Sequence, residues 1–87
     1  MSDFLRFVDE LRHRFGMHVE IYYSGIMDWC ITVYKKGCAD DYPTARHGGE
    51  NNADVIMVDV QDCDLELCFA RAQVALKDWM MEFEGGY

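Results

Sequence analysis

Positive charge is missing from the middle of this chain. Between Arg46 and Arg71 there is no Lys or Arg, while Glu50, Asp54, Asp59, Asp62, Asp64 and Glu66 all fall in that interval. A stretch of one sign repels nucleic acid and biases encounter toward basic partners, and salt weakens both effects. No apolar run approaches the ~18 residues that a membrane span requires, and the amphipathic segments lack a basic polar face, so no membrane partner is expected. The start of the chain has neither the basic residues nor the apolar stretch of a secretory signal. The expected location is therefore the cytoplasm, with Cys30, Cys38, Cys63 and Cys68 reduced. Cys-x-x-Cys and His-x-x-x-His spacings are also missing, so neither a metal nor a cofactor is expected.

What is present is enough for one core. The chain has 87 residues, 51% of them apolar and 14% aromatic, which is too much for an acidic disordered tail and suits a single domain over 1–87. Residues 1–36 carry five acids and five bases and are neutral. Residues 37–87 carry eleven acids against Arg46, Arg71 and Lys77, and hold the entire net charge of -8.

Periodicity orders the elements. Phe4, Phe7, Val8, Leu11 and Phe15 recur at three- and four-residue spacing and predict a helix over 3–15, with Ser2 as cap and Gly16 past its end. Met17, Val19, Ile21 and Tyr23 then alternate with His18, Glu20 and Tyr22. After the turn residues Ser24 and Gly25, Trp29, Ile31 and Val33 alternate with Cys30, Thr32 and Tyr34. This predicts a hairpin whose aliphatic side meets the first helix and whose other side shows Tyr22, Thr32, Tyr34 and Lys36. Residues 37–53 contain three glycines and the only proline, and read as a long loop able to serve as a contact surface. Val55–Val60 predicts a third strand with Ile56, Val58 and Val60 inward and Asp59 outward.

Leu65, Cys68, Phe69, Ala72, Leu76, Trp79, Met80 and Phe83 predict a helix over 64–83, capped by Asp62 or Asp64 and stopped by Gly85 and Gly86. The expected fold is α+β in the order α-β-β-β-α, a three-stranded antiparallel sheet with both helices on one face. A second apolar edge, Leu67, Val74 and Met81 with Ala70, lies off the main helical stripe. It either meets a second copy or widens the contact with the first helix.

Several chemical constellations are weaker than their plain readings. Cys38, Asp40 or Asp41, and His47 supply a thiol, an orienting acid and a base. They all come from one Gly-rich loop with nothing to hold them rigidly, so an enzyme is not expected. A zinc site on Cys38 and His47 would need ligands from elsewhere. Asp62, Asp64 and Glu66 alternate like the start of a calcium loop, but Leu67 stands where the glycine belongs. Gly85 and Gly86 are accounted for by helix termination.

The α-β-β-β-α order resembles the double-stranded RNA-binding domain. That family has a lysine cluster at the start of its last helix, where this chain has Gln61, Asp62, Cys63, Asp64, Leu65 and Glu66, a set that repels phosphate. In size, charge and element order, with Asp59, Asp62, Asp64 and Glu66 as its residues, the chain resembles the small acidic anti-CRISPR proteins of phages. That resemblance implies a non-enzymatic inhibitor that covers the basic nucleic-acid-binding surface of a nuclease such as a CRISPR effector, without binding nucleic acid itself. The expected contact residues are Glu50, Asp54, Asp59, Asp62, Asp64 and Glu66, with Asp40, Asp41 and Tyr42 from the loop and Tyr34 from the sheet. The alternative is a structural or accessory homodimer, associated through the long helix or the third-strand edge, whose acidity serves solubility.

Overall fold

The structure, a computed structural model, describes residues 3–12, 16–25 and 28–87. Helix α1 runs Asp3–Leu11, strand β1 Met17–Tyr23, β2 Trp29–Lys35, β3 His47–Gly48 and β4 Asp54–Asp62, and helix α2 Leu65–Phe83. Short 3-10 turns lie at 39–41 and 50–52. The fold is α+β, with two helices and one antiparallel sheet in the order β1-β2-β4-β3. The expected cap at Ser2 and the expected last turn of α1 at residues 13–15 lie outside the described residues.

The sheet has four strands rather than the three expected from sequence. The additional strand is the pair His47–Gly48, set against Val55 and Asp54, and it extends a contact in which Ile56 N–H donates to Arg46 C=O at 2.8 Å. Two residues among glycines are too short to show an alternating pattern. A Cβ at Gly48 would come within 2.5 Å of Ile56 Cδ1, so a larger residue there would require the end of the Ile56 side chain to shift.

The helices share the core unequally. α2 lies on β4 and β2, and α1 packs mainly on α2. The reason is shape: Cys68, Ala72, Leu76 and Met80 are all fully buried along one stripe, and the small Cys68 and Ala72 let α2 approach the sheet closely. Phe4 and Leu11 of α1 join the same cluster as Ile31, Val33, Val55, Met57 and Val58. Met57 enters through a bulge, an extra residue in β4 where the register with β2 shifts at Val33/Tyr34. At the far end of the hairpin Ile21 is 37% and Tyr23 54% exposed, where sequence alternation placed both inward.

Both ends of α2 follow the chemistry of their residues. The Asp64 side chain accepts the Leu67 N–H at 3.0 Å and caps the helix. Gly85, at φ +76, turns the chain so that Gly86 N–H reaches the Met80 carbonyl at 3.1 Å. No helix among the described residues is long and apolar enough to cross a membrane.

Leu76 is fully buried in the cluster that α2 shares with the sheet and α1. Leu76→Ala is expected to lower the free energy of unfolding by about 2–5 kcal/mol, read from urea denaturation followed by circular dichroism.

Candidate interaction surface

Strand alternation and register assemble one open face of the sheet from residues far apart in sequence. Three cross-strand rows result: His18, Tyr34 and Ile56; Glu20, Thr32 and Asp59; Tyr22, Cys30 and Gln61. Thr32 and Cys30 sit on the central strand and are buried by their neighbours, whereas Glu20, Tyr22, Asp59 and Gln61 are exposed. Tyr22 is 52% exposed, and the side chains of Cys30 and Asp59 hold its phenol above the usual value. Arg46 reaches Asp59 at 3.1 Å, His18 lies 3.8 Å from Glu20, and the Lys36 ammonium stands over the Tyr34 ring at 5.3 Å. The face is therefore acidic in its middle row and aromatic on both sides of it.

The ten expected contact residues separate into two groups. Asp40, Asp41, Glu50, Asp59 and Glu66 are exposed, with Asp59 on the open face and Glu66 in the first turn of α2. Tyr34 is half-buried on the same face as Asp59. The other four are committed to the fold. Asp54, 8% exposed, accepts Gly37 N–H at 2.9 Å and the Lys36 ammonium at 3.1 Å, and these two donors lower its pKa. Asp62 accepts Asp64 N–H at 3.0 Å and Arg71 at 3.2 Å and is also lowered, first by the Asp64 N–H and then by Arg71. Asp64 is the helix cap. Tyr42 packs its ring 5.2 Å from Trp79 and 6.3 Å from Phe83 and donates its hydroxyl to Glu84. Burial, then Glu84, pushes its pKa up to about 12.

The long loop is pinned at several points. Ala39 N–H donates to Ala53 C=O at 3.0 Å, His47 Nε2 donates to Tyr42 C=O at 2.8 Å, and Tyr42 anchors the loop to the C-terminal part of α2. Asn51 and Asn52 take left-handed backbone at φ 58 and φ 53, which Asn tolerates. Gly49 has φ +75, and a Cβ there would collide with the Asp54 carboxylate.

The loop's thiol and imidazole have separate structural partners. Cys38 Sγ donates to Lys35 C=O at 3.3 Å, and burial raises its pKa. Burial likewise raises Cys68. Neither thiol gains the thiolate character that nucleophilic or redox chemistry requires. Among the described residues no group of three His, Cys, Asp or Glu is arranged to hold a metal ion.

Sequence reasoning missed Glu20 and His18 as members of this surface. The alternation of β1 placed them on the wet face, but the hairpin register needed to set Glu20 in one row with Asp59 comes only from the paired strands. Comparison of the chain with protein-family models, curated proteins and solved structures yields no match.

The Asp54 clamp gives a pH dependence of defined sign. Its folded-state pKa lies below the ordinary 3.8, so its stabilisation is complete above that value and is lost as pH falls through the lower folded value. Asp54→Asn is expected to be less stable than wild type at neutral pH and to lose less stability on acidification. Urea midpoints between about pH 2 and 6 measure both; an unchanged slope would mean that the clamp contributes nothing.

Proposed function

We propose that this protein is a non-enzymatic binding module of the cytoplasm that inhibits a nucleic-acid-handling enzyme by occupying its basic nucleic-acid-binding surface, as small acidic anti-CRISPR proteins of phages do with CRISPR effectors. The observation that carries this reading is the position of the exposed acids around β4. Asp40, Asp41 and Glu50 precede the strand, Asp59 and its row-mate Glu20 lie on the open face, and Glu66 follows the strand. Nine strand residues span roughly 30 Å at ~3.3 Å each, a length over which duplex DNA shows one phosphate per ~3.4 Å on each strand. Asp59 is the exposed carboxylate of β4 itself, so a substitute for part of that track would combine it with Glu20 in its row and with Asp40, Asp41, Glu50 and Glu66 before and after the strand.

Two features add support. In this reading both helices pack on one face of the sheet, consistent with the shared cluster of Phe4, Leu11, Cys68, Leu76 and Met80 with Ile31, Val33 and Val58, and the other face stays free for a partner. Tyr22 and Tyr34 flank the acidic row and offer the aromatic anchors favoured at protein interfaces. Nucleic acid itself is repelled by the same charge. The alternative, an accessory homodimer whose acids only maintain solubility, assigns the open face no partner.

The test uses acids that the fold does not need. Reversal of Asp54, Asp62 or Asp64 would remove a clamp, a turn or a cap, and reversal of Glu66 would oppose the dipole of α2. Glu20→Lys, Asp40→Lys, Glu50→Lys and Asp59→Lys are therefore combined. Wild type, tagged and incubated in nuclease-treated host lysate, is expected to retain a nucleic-acid-binding enzyme, less of it as salt rises. The four-Lys variant is expected to retain none while keeping the wild-type circular dichroism spectrum. Equal capture by both forms would leave solubility as the role of the acids.

A further inference from the structure

The stripe Leu67, Val74 and Met81 is open in the folded chain: the three side chains are 51%, 60% and 59% exposed. It does not widen the contact with α1. The residues stand about 10.5 Å apart along α2 and within about 20° of one line. Beside them runs a groove of about 400 Å³ between α2 and β4, lined by Val60, Ala70, Arg71, Val74, Ala75 and Asp78. The two charged residues of that groove identify the occupant. Arg71 lies three residues before Val74 and Asp78 four residues after it, and both fall on the same side of the apolar line.

We infer that this face pairs with the same face of a second copy, the two α2 helices running antiparallel about a two-fold axis at Val74. In that arrangement Val74 meets its symmetry mate, Leu67 of each copy meets Met81 of the other, and Arg71 of each copy lies beside Asp78 of the other. A parallel pairing carries this side of the line to opposite sides of the seam in the two copies, so the reciprocal Arg71–Asp78 contacts form only in the antiparallel one. Arg71 can serve both contacts. Among the described residues its Nη1 is engaged by Gln61 C=O at 2.7 Å and Asp62 at 3.2 Å, and the guanidinium has further N–H donors on its other nitrogens. Asp78 takes part in no ion pair or side-chain hydrogen bond among the described residues. Ala70 and Ala75 add no bulk to the groove walls, which lets the second helix approach closely.

The pairing is independent of the acidic-surface reading. It leaves Glu20, Asp40, Glu50 and Asp59 outside the contact, so the four-Lys variant is expected to associate as wild type does, and either idea can fail alone.

The experiment is sedimentation equilibrium of the full chain over a wide concentration range. Wild type is expected to rise from the chain mass of 10.1 kDa toward twice that value. Val74→Glu sets two carboxylates face to face at the axis and is expected to weaken association by on the order of a hundred-fold or more, with an unchanged urea midpoint at concentrations low enough that both proteins are monomeric, because the site is exposed. Arg71→Asp and Asp78→Arg each create two like-charge contacts per dimer and are each expected to associate about ten-fold more weakly. An equimolar mixture of these two variants restores both opposite-charge pairs and is expected to recover wild-type association. A wild type that stays at the chain mass at millimolar concentration overturns the inference. So does a dimer indifferent to Val74→Glu, or a mixture that associates no better than its components.

Discussion

The close seat of α2 on β4 and β2 is the constraint on which the rest of the molecule depends. Each large side chain buried there contributes about 1.5–3 kcal/mol; Leu76, Met80, Val33 and Val58 take part from α2 and the sheet, and Phe4 joins the same cluster from α1. Its geometry decides more than stability. Strand β4, with Asp54, Asp59 and Asp62, leads directly into α2, and only Cys63 and Asp64 separate them. The turn therefore has little freedom, and Asp62 and Asp64 become its structural residues: one accepts a backbone N–H and Arg71, and the other caps the helix. The same seat presents the opposite side of α2, with Leu67, Val74 and Met81, to solvent.

Acidic residues in this chain perform two kinds of work that composition cannot separate. Asp54 replaces missing main-chain partners: it closes the 36–37 turn with two oxygens and needs Gly49 beside it because any side chain there would strike the carboxylate. With Tyr42 docked on Trp79 and Phe83, that clamp converts seventeen residues without periodicity into two short 3-10 turns and an edge strand. Asp40, Asp41, Glu50, Asp59, Glu66 and Glu20 are exposed instead, and a partner can be recognised only through carboxylates of this kind.

The two surfaces are compatible. The open face of the sheet is polar, acidic and aromatic, suited to a basic partner met through long-range attraction. The outer side of α2 is apolar with one charge of each sign, suited to its own copy. A two-fold pair would carry two acidic faces, and a partner with repeated basic sites would then gain avidity.

Much of the fold is legible in the sequence. The stripe from Leu65 to Phe83, the alternation from Met17 to Tyr23 and from Trp29 to Tyr34, and the cap and glycine signals around α2 reflect local rules of backbone and solvent, and the folded elements follow them. The sequence by itself determined the α+β class, the outward face carrying Tyr22, Thr32, Tyr34 and Asp59, and the concentration of negative charge after residue 36. Only the tertiary structure decided that His47–Gly48 pairs as a strand, that α2 makes the larger contact with the sheet, that Glu20 shares a row with Asp59, and that Asp54, Asp62 and Tyr42 face inward partners. The physical reason is that periodicity records whether a position meets water or protein, whereas register, helix choice and hydrogen-bond partners depend on contacts between segments distant in sequence.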